Sequence, residues 1–198
     1  DEASKLDILR GLDAMARDMA ASEGERDLAV VFFSGHGAMV NDSFYFLPHG
    51  VNADDPVSLA TTGLALDEFR RAVRAVAAHG RVLVLLDACR AGAATADGRA
   101  LEADARLLRQ VLADTNVSVL TSSRASELSR EYDRLANSAF TEALLDALGR
   151  RADTNANGLL SLPEIGEHVT AAVPRLSDGK QEPGVEIRFT DELFAAGL

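Results

Sequence analysis

Two short stretches of the chain carry residue types suited to nucleophilic catalysis. The first reads Val82-Leu83-Val84-Leu85-Leu86-Asp87-Ala88-Cys89-Arg90-Ala91-Gly92. Its aliphatic run predicts a strand buried on both faces over Val82–Asp87. The strand leads into Cys89, the only cysteine of the chain. A thiol just past the carboxyl end of a buried parallel strand sits where open α/β sheets build their sites. A free cysteine is commonly a small core hydrophobe, but Asp87, Arg90 and Gly92 place this one in a surface turn. The second stretch is Leu28–Phe33, another aliphatic and β-branched run, ending in Ser34-Gly35-His36-Gly37. Here a histidine stands at a strand's carboxyl end, between two glycines that let the backbone approach a ligand closely. Cys89 and His36 thus hold equivalent places on two strands. Together they supply a nucleophile and a proton carrier, the two groups that thiol hydrolysis needs.

Holding the two groups together requires a sheet, and the rest of the sequence reads as one. Ser4-Lys5-Leu6-Asp7 is a helix start with Ser4 as cap and Asp7 in the capping-box position. Ile8, Leu12, Met15 and Met19 follow at helical spacing, and Gly24 closes the helix. Val40, Phe44 and Phe46 around Asn41-Asp42-Ser43 predict a hairpin. Pro48 to Pro56 is a polar loop in which His49 is solvated. Leu66–His79 is a helix with Phe69, Val73 and Val76 on one face, His79 complementing its dipole and Gly80 as its stop. After Val82–Asp87 come a small-residue loop at Ala91–Gly98, a helix at Leu101–Leu112 and a strand at Val117–Thr121. Arg124–Ala136 is charged and irregular. Helices at Ser138–Arg150 and Leu162–Val173 and a weak last strand at Val185–Phe189 complete the pattern. Strand–helix alternation with crossovers of this length predicts an α/β fold, a mostly parallel sheet with helices on both faces.

Composition narrows the partners. A chain of 198 residues, 47% of them hydrophobic, reads as one domain over 1–198 with a full core. A formal charge of −11 disfavours nucleic acid, which wants a basic footprint, and is compatible with basic polypeptide substrates. No apolar run reaches the length of a membrane span and no signal peptide is visible. With a single cysteine, which suits a reducing compartment, the expected location is the cytoplasm.

Phe33-Ser34-Gly35-His36-Gly37 and Leu86-Asp87-Ala88-Cys89-Arg90-Ala91-Gly92 resemble the two catalytic blocks of caspase-like cysteine peptidases, in which the histidine lies roughly 50 residues upstream of the cysteine. The Asp-x-Cys form is similar to the metacaspase and bacterial orthocaspase-like branch; caspases carry Gln there. Thr121-Ser122-Ser123 and Asn137-Ser138-Ala139-Phe140-Thr141 are similar to later blocks, so the resemblance spans Leu28 to Phe189. It implies the three-layer caspase-like fold and a cysteine endopeptidase with a Cys89–His36 dyad that requires no cofactor. It implies an oxyanion hole formed by the backbone N–H groups of Gly37 and Cys89. Asp87 lies two residues before Cys89, so on a strand both share a face. A carboxylate there makes an acidic floor for the S1 pocket, and the residues matching Asp87 and Ser34 take that role in metacaspases. The expected cleavage is therefore after Arg or Lys. Family members open with a strand, a helix and a second strand ahead of the helix at Ser4. That unit is missing from this chain, which reads as an amino-terminally incomplete domain whose missing segment, or a fused regulatory domain, is supplied elsewhere. Arg99 and Arg106 stand where related zymogens are commonly cut, and are equally well read as surface residues.

A separate motif runs from Asp153 to Glu164. Asp153-x-Asn155-x-Asn157-Gly158, followed by Ser161 and Glu164, fits the EF-hand loop pattern, with oxygens at positions 1, 3, 5, 9 and 12. Two charges alone imply weak Ca²⁺ binding. The competing reading is a helix connection in which Ser161 caps the next helix and Glu164 closes a capping box. His168 on that helix reads as a surface residue. Two other classes compete with the peptidase. A catalytically silent caspase-like scaffold is opposed by the presence of both Cys89 and His36. A nucleotide-binding α/β domain is opposed by a glycine motif too short for a phosphate loop and without its lysine.

Overall fold

The computed structural model describes residues 3–22, 27–41, 43–90, 116–122 and 135–197, and of residues 39 and 88–90 the backbone. The elements in order are α1 (Lys5–Ala21), β1 (Leu28–Val40), β2 (Ser43–Leu47), α2 (Pro56–Thr62), β3 (Leu64–Ala65), α3 (Leu66–Ala77), β4 (Arg81–Arg90), β5 (Val117–Thr121), α4 (Ala139–Asp146), β6 (Leu159–Ser161), α5 (Leu162–Leu176), β7 (Gly184–Glu186) and β8 (Glu192–Ala195). Six strands form one sheet in the order β3-β2-β1-β4-β5-β7, and β6 and β8 form a separate ribbon. Its centre is parallel: β4 runs parallel to both β1 and β5. The flanks turn antiparallel, β2 against β1, β3 against β2 and β7 against β5. Two hydrophobic clusters lie on opposite faces. Val82, Val84 and Leu86 of β4 pack with α1 and α3, and Leu83 and Leu85 pack with α4 and α5. This is the three-layer α/β arrangement, and the continuous aliphatic run of β4 is what a strand covered on both faces requires.

Two strands are longer than the sequence predicts. β1 does not stop at Phe33. It runs through Ser34-Gly35-His36-Gly37 to Val40, so His36 lies inside a strand and not in a loop after one. The reason is pairing on both sides. Up to Gly37 the strand matches β4, and from His36 to Val40 it is also one arm of the hairpin with β2. The hairpin turns at Asn41, whose φ of 49° is a conformation asparagine tolerates. Over Leu28–Gly35 the only strand partner of β1 among the described residues is β4. β4 likewise continues to Arg90. Asp87 is thereby a buried strand residue and not part of a surface turn.

Gly37 has a packing reason. A Cβ there would run into the ring of Phe44, which is buried and stacks edge-on against Phe46 at 5.1 Å. That contact lies on the α1/α3 side, so the missing Cβ makes room for the hairpin's core and not for a substrate. A Cβ at Gly35 would meet only ordinary contact with Phe33.

The expected capping box of α1 is present: Ser4 Oγ accepts from the Asp7 N–H, and the Ser4 N–H donates to the Asp7 carboxylate at 3.0 Å. The helix ends at Ala21. Asp55 caps α2, a short helix with Pro56 in its first turn that the polar-loop reading of Pro48–Pro56 overlooks. α3 stops at Ala77, with His79 exposed beyond it. α4 is shorter than Ser138–Arg150: Ser138 is its cap, and after Asp146 a widened turn over Ala147–Arg151 carries Arg150 at φ 88°. β7 is confined to Gly184–Glu186, and β8 pairs with β6. The loop at Ala91–Gly98, the helix at Leu101–Leu112, Gly24, Arg99, Arg106 and most of Arg124–Ala136 lie outside the described residues. Among the described residues no helix is long and apolar enough to cross a membrane.

Ser161 caps α5 and Glu164 closes its capping box. The Ser161 N–H donates to Glu164 Oε2 at 2.9 Å and the Ser161 hydroxyl donates to it at 2.8 Å. The backbone N–H and then the hydroxyl hold the Glu164 carboxyl below the ordinary glutamate range, against the opposing effect of burial. A carboxyl depressed in the folded state stabilises the fold above its unfolded pKa, and that contribution is lost as pH falls through the folded value. Ser161→Ala is therefore expected to cost about 1 kcal/mol at neutral pH. The gap to the unsubstituted protein should narrow as pH falls through the folded pKa of Glu164. Urea melts at a series of pH values measure it; a gap that does not change with pH counts against the box as its source.

Candidate active site

The parallel register of β1 and β4 brings the predicted residues together in two successive same-face rungs. Ser34 is opposite Asp87, and His36 is opposite Cys89. Neighbouring strands lie about 4.8 Å apart, so each pair is within one strand spacing along the backbone. Side chains two apart on a strand share a face. On β1 that face carries Val30, Phe32, Ser34 and His36, all exposed, so the histidine opens to solvent at the surface of the sheet. The equivalent face of β4 carries Leu83, Leu85 and Asp87, all buried under α4 and α5. The site is thus half open, with its exposed wall on the histidine strand and its closed wall on the cysteine strand.

Asp87 is 4% exposed. A carboxylate at that depth is costly unless it is hydrogen-bonded. Oδ2 accepts from the Ser138 hydroxyl and from Thr141 Oγ1, the latter at 2.7 Å. Both donors sit on the first turn of α4, where Ser138 is also the cap that accepts from the Thr141 N–H at 3.0 Å. Oδ1 is buried and, among the described residues, has no hydrogen-bond partner. Ser138 and Thr141 are the residues that the sequence did not single out. Asn137–Thr141 carries a family resemblance there, but nothing in its pattern points to Asp87, more than fifty residues earlier in the chain. Gly37 lies in β1 between Phe46 of β2 and Arg90 of β4.

The Asp153–Glu164 loop stands apart, between α4 and α5. Asp153 accepts from the N–H groups of Asn157 and Gly158 at 3.1 and 3.0 Å. Asn155 Oδ1 accepts from the Asn157 N–H at 2.9 Å, and Asn157 Oδ1 from the Leu159 N–H at 2.8 Å. Gly158 takes φ 80°, the sharp turn the pattern calls for. Glu164 reaches across the loop to accept from Asn155 Nδ2 at 3.0 Å, while Ser161 is spent on the α5 cap. The capping-box reading is therefore realised in full. Asp153 and Glu164 are the loop's only carboxylates, and among the described residues no group of three or more His, Cys, Asp or Glu side chains is placed to hold a metal. His168, read as a surface residue, is instead partly buried: its Nε2 lies 3.0 Å from Asp146 Oδ2 and ties α5 to α4.

This architecture recurs in known proteins. In the crystal structure of protein GSU0716 from Geobacter sulfurreducens, 93% of this chain matches 73% of that one with a TM-score of 0.57, at 20% identity, a likeness of fold. No curated protein matches the sequence. The family model of the caspase domain matches residues 1–194, a span that includes β1, β4 and both candidate rungs. This chain belongs to the caspase domain family of cysteine peptidases.

Proposed function

We propose that this protein is a cysteine endopeptidase of the metacaspase-like, bacterial branch, acting in the cytoplasm on peptide bonds after Arg or Lys. The observation that carries the reading is the pair of rungs, His36 beside Cys89 and Ser34 beside Asp87. Cys89 gives its proton to His36 and attacks the scissile carbonyl. The oxyanion that forms is met by the N–H groups of Gly37 and Cys89. The C–N bond then breaks as His36 returns the proton to the leaving amine, and water cleaves the thioester with His36 as base. None of these steps needs a cofactor. Asp87 supplies the negative charge for a basic P1 side chain, with its unpartnered Oδ1 as the acceptor and Ser34 on the adjacent strand as the second polar contact. The substrates are polypeptides with basic residues, neither nucleic acid nor membrane. A silent scaffold would have no use for the Ser34–Asp87 and His36–Cys89 rungs.

Matched peptides with Arg, Lys, Asp and Ala at P1 test this. The unsubstituted protein should favour Arg and Lys, and Cys89→Ala should fold normally and cut nothing. Asp87→Asn keeps an acceptor for Ser138 and Thr141 while removing the charge. Losing a buried charge partner costs roughly 2–5 kcal/mol, or about 30-fold to several thousandfold in kcat/KM for Arg peptides. Alkylation of Cys89 by a small reagent should not change. Turnover by Cys89→Ala, or a preference for Asp at P1, contradicts the assignment.

For the Asp153–Glu164 loop, the fit of Asp153, Asn155, Asn157, Ser161 and Glu164 to EF-hand positions supports weak Ca²⁺ binding, on the order of 10⁻⁴ M or weaker from its charge count. Calorimetry at millimolar Ca²⁺ should show heat that Asp153→Ala abolishes; no heat, with melting unmoved by Ca²⁺, leaves the loop as a helix connection only.

A further inference from the structure

We infer that Ser138 and Thr141, on the first turn of α4, are positioning residues that set the S1 carboxylate and so determine the preference for a basic P1 residue. This rests on the S1 reading of Asp87. Both hydroxyls donate to the same oxygen, Oδ2. An oxygen that already accepts two hydrogen bonds has little left for a ligand, whereas Oδ1 is buried and unpartnered. The clasp therefore fixes which oxygen faces the ligand and how the carboxylate plane is turned. Among the described residues no cationic side chain pairs with Asp87, and the two hydroxyls are the groups that hold it.

The helix itself does not demand these two donors. Ser138 caps α4 by accepting from the Thr141 N–H; its own proton is spare and goes to Asp87. The helices differ at their third position. α1, α3 and α5 carry an acid there, Asp7, Glu68 and Glu164, each bonded back to the start of its helix. α4 carries Thr141 instead. An acid at that place would face the Asp87 carboxylate and repel it. A hydroxyl donates to it, and the positive end of the helix favours the same negative charge. α4 thus has a hydroxyl at the point where the cysteine strand presents its carboxylate, and its first-turn acid, Glu142, accepts from the Asn137 N–H at 3.0 Å instead.

The test uses Thr141→Val, which keeps the shape and removes the donor. It also uses Ser138→Gly, which removes the other donor while a glycine cap costs the helix little. kcat and KM are measured separately for peptides with Arg and Ala at P1. A hydrogen bond to a charged group is worth enough that each variant should lose about 10- to 100-fold in kcat/KM for the Arg peptide, seen mainly in KM. Cleavage of the Ala peptide and alkylation of Cys89 should stay as they were, and Thr141→Ser should restore the Arg preference. A purely structural role would lower Arg and Ala cleavage together, and that result overturns the inference. So does an Arg preference that survives both substitutions, which leaves the S1 role of Asp87 standing. An unsubstituted protein with no preference for basic P1 residues overturns both. Should Thr141→Val fail to fold, the Arg-to-Ala ratio of Ser138→Gly decides alone.

Discussion

The register between β1 and β4 is the constraint on which the rest depends. One parallel ladder, ten residues long, fixes Ser34 against Asp87 and His36 against Cys89. A slip of one residue would send every side chain of one strand to the other face. The cores on the two sides forbid it: β4 interleaves Val82, Val84 and Leu86 on one face with Leu83 and Leu85 on the other. The hydrophobic pattern that builds the sheet therefore also aligns the two candidate rungs. Gly37 and the hairpin add to this. Gly37 lets Phe44 pack tightly beneath the strand, so that β1 stays extended beyond the histidine.

Asp87 shows how such a site is maintained within a core. It follows the aliphatic run of the cysteine strand and is as buried as the leucines before it. Burial of an ionised group is costly, and two hydroxyls from one helical turn offset part of that cost. Their donation couples α4 to the cysteine strand, and α4 is in turn tied to α5 by the Asp146–His168 contact. The helices on that face thus hold the carboxylate as well as the core.

The sequence made the sheet centre and the two blocks that hold His36 and Cys89 legible because both rest on local signals. Aliphatic runs of strand length announce β1, β4 and β5, and the Ser-Gly-His-Gly and Asp-Ala-Cys-Arg blocks follow two of them directly. The capping boxes of α1 and α5 were legible for the same reason, since a cap and its acid lie three residues apart. What stayed hidden is what distance in sequence conceals. Ser-Gly-His-Gly has the composition of a loop and becomes strand only because β2 and β4 pair with it, so tertiary pairing overrides local preference. The burial of Asp87 depends on Ser138 and Thr141, which no spacing rule connects to it. α2 carried a usable signal, Asp55 followed by Pro56, the ordinary opening of a helix. β8 was hidden because it is defined by pairing with β6 and not by its own alternation.

If His36 and Cys89 work as one unit, the imidazole governs how readily the thiol reacts. The rate of alkylation of Cys89 by iodoacetamide at neutral pH, compared between the unsubstituted protein and His36→Ala, tests it without any assumption about substrate. An imidazole beside a thiol promotes the reactive thiolate, so the account predicts a rate that falls by about tenfold or more in His36→Ala with the fold intact. Equal rates in the two proteins would contradict it.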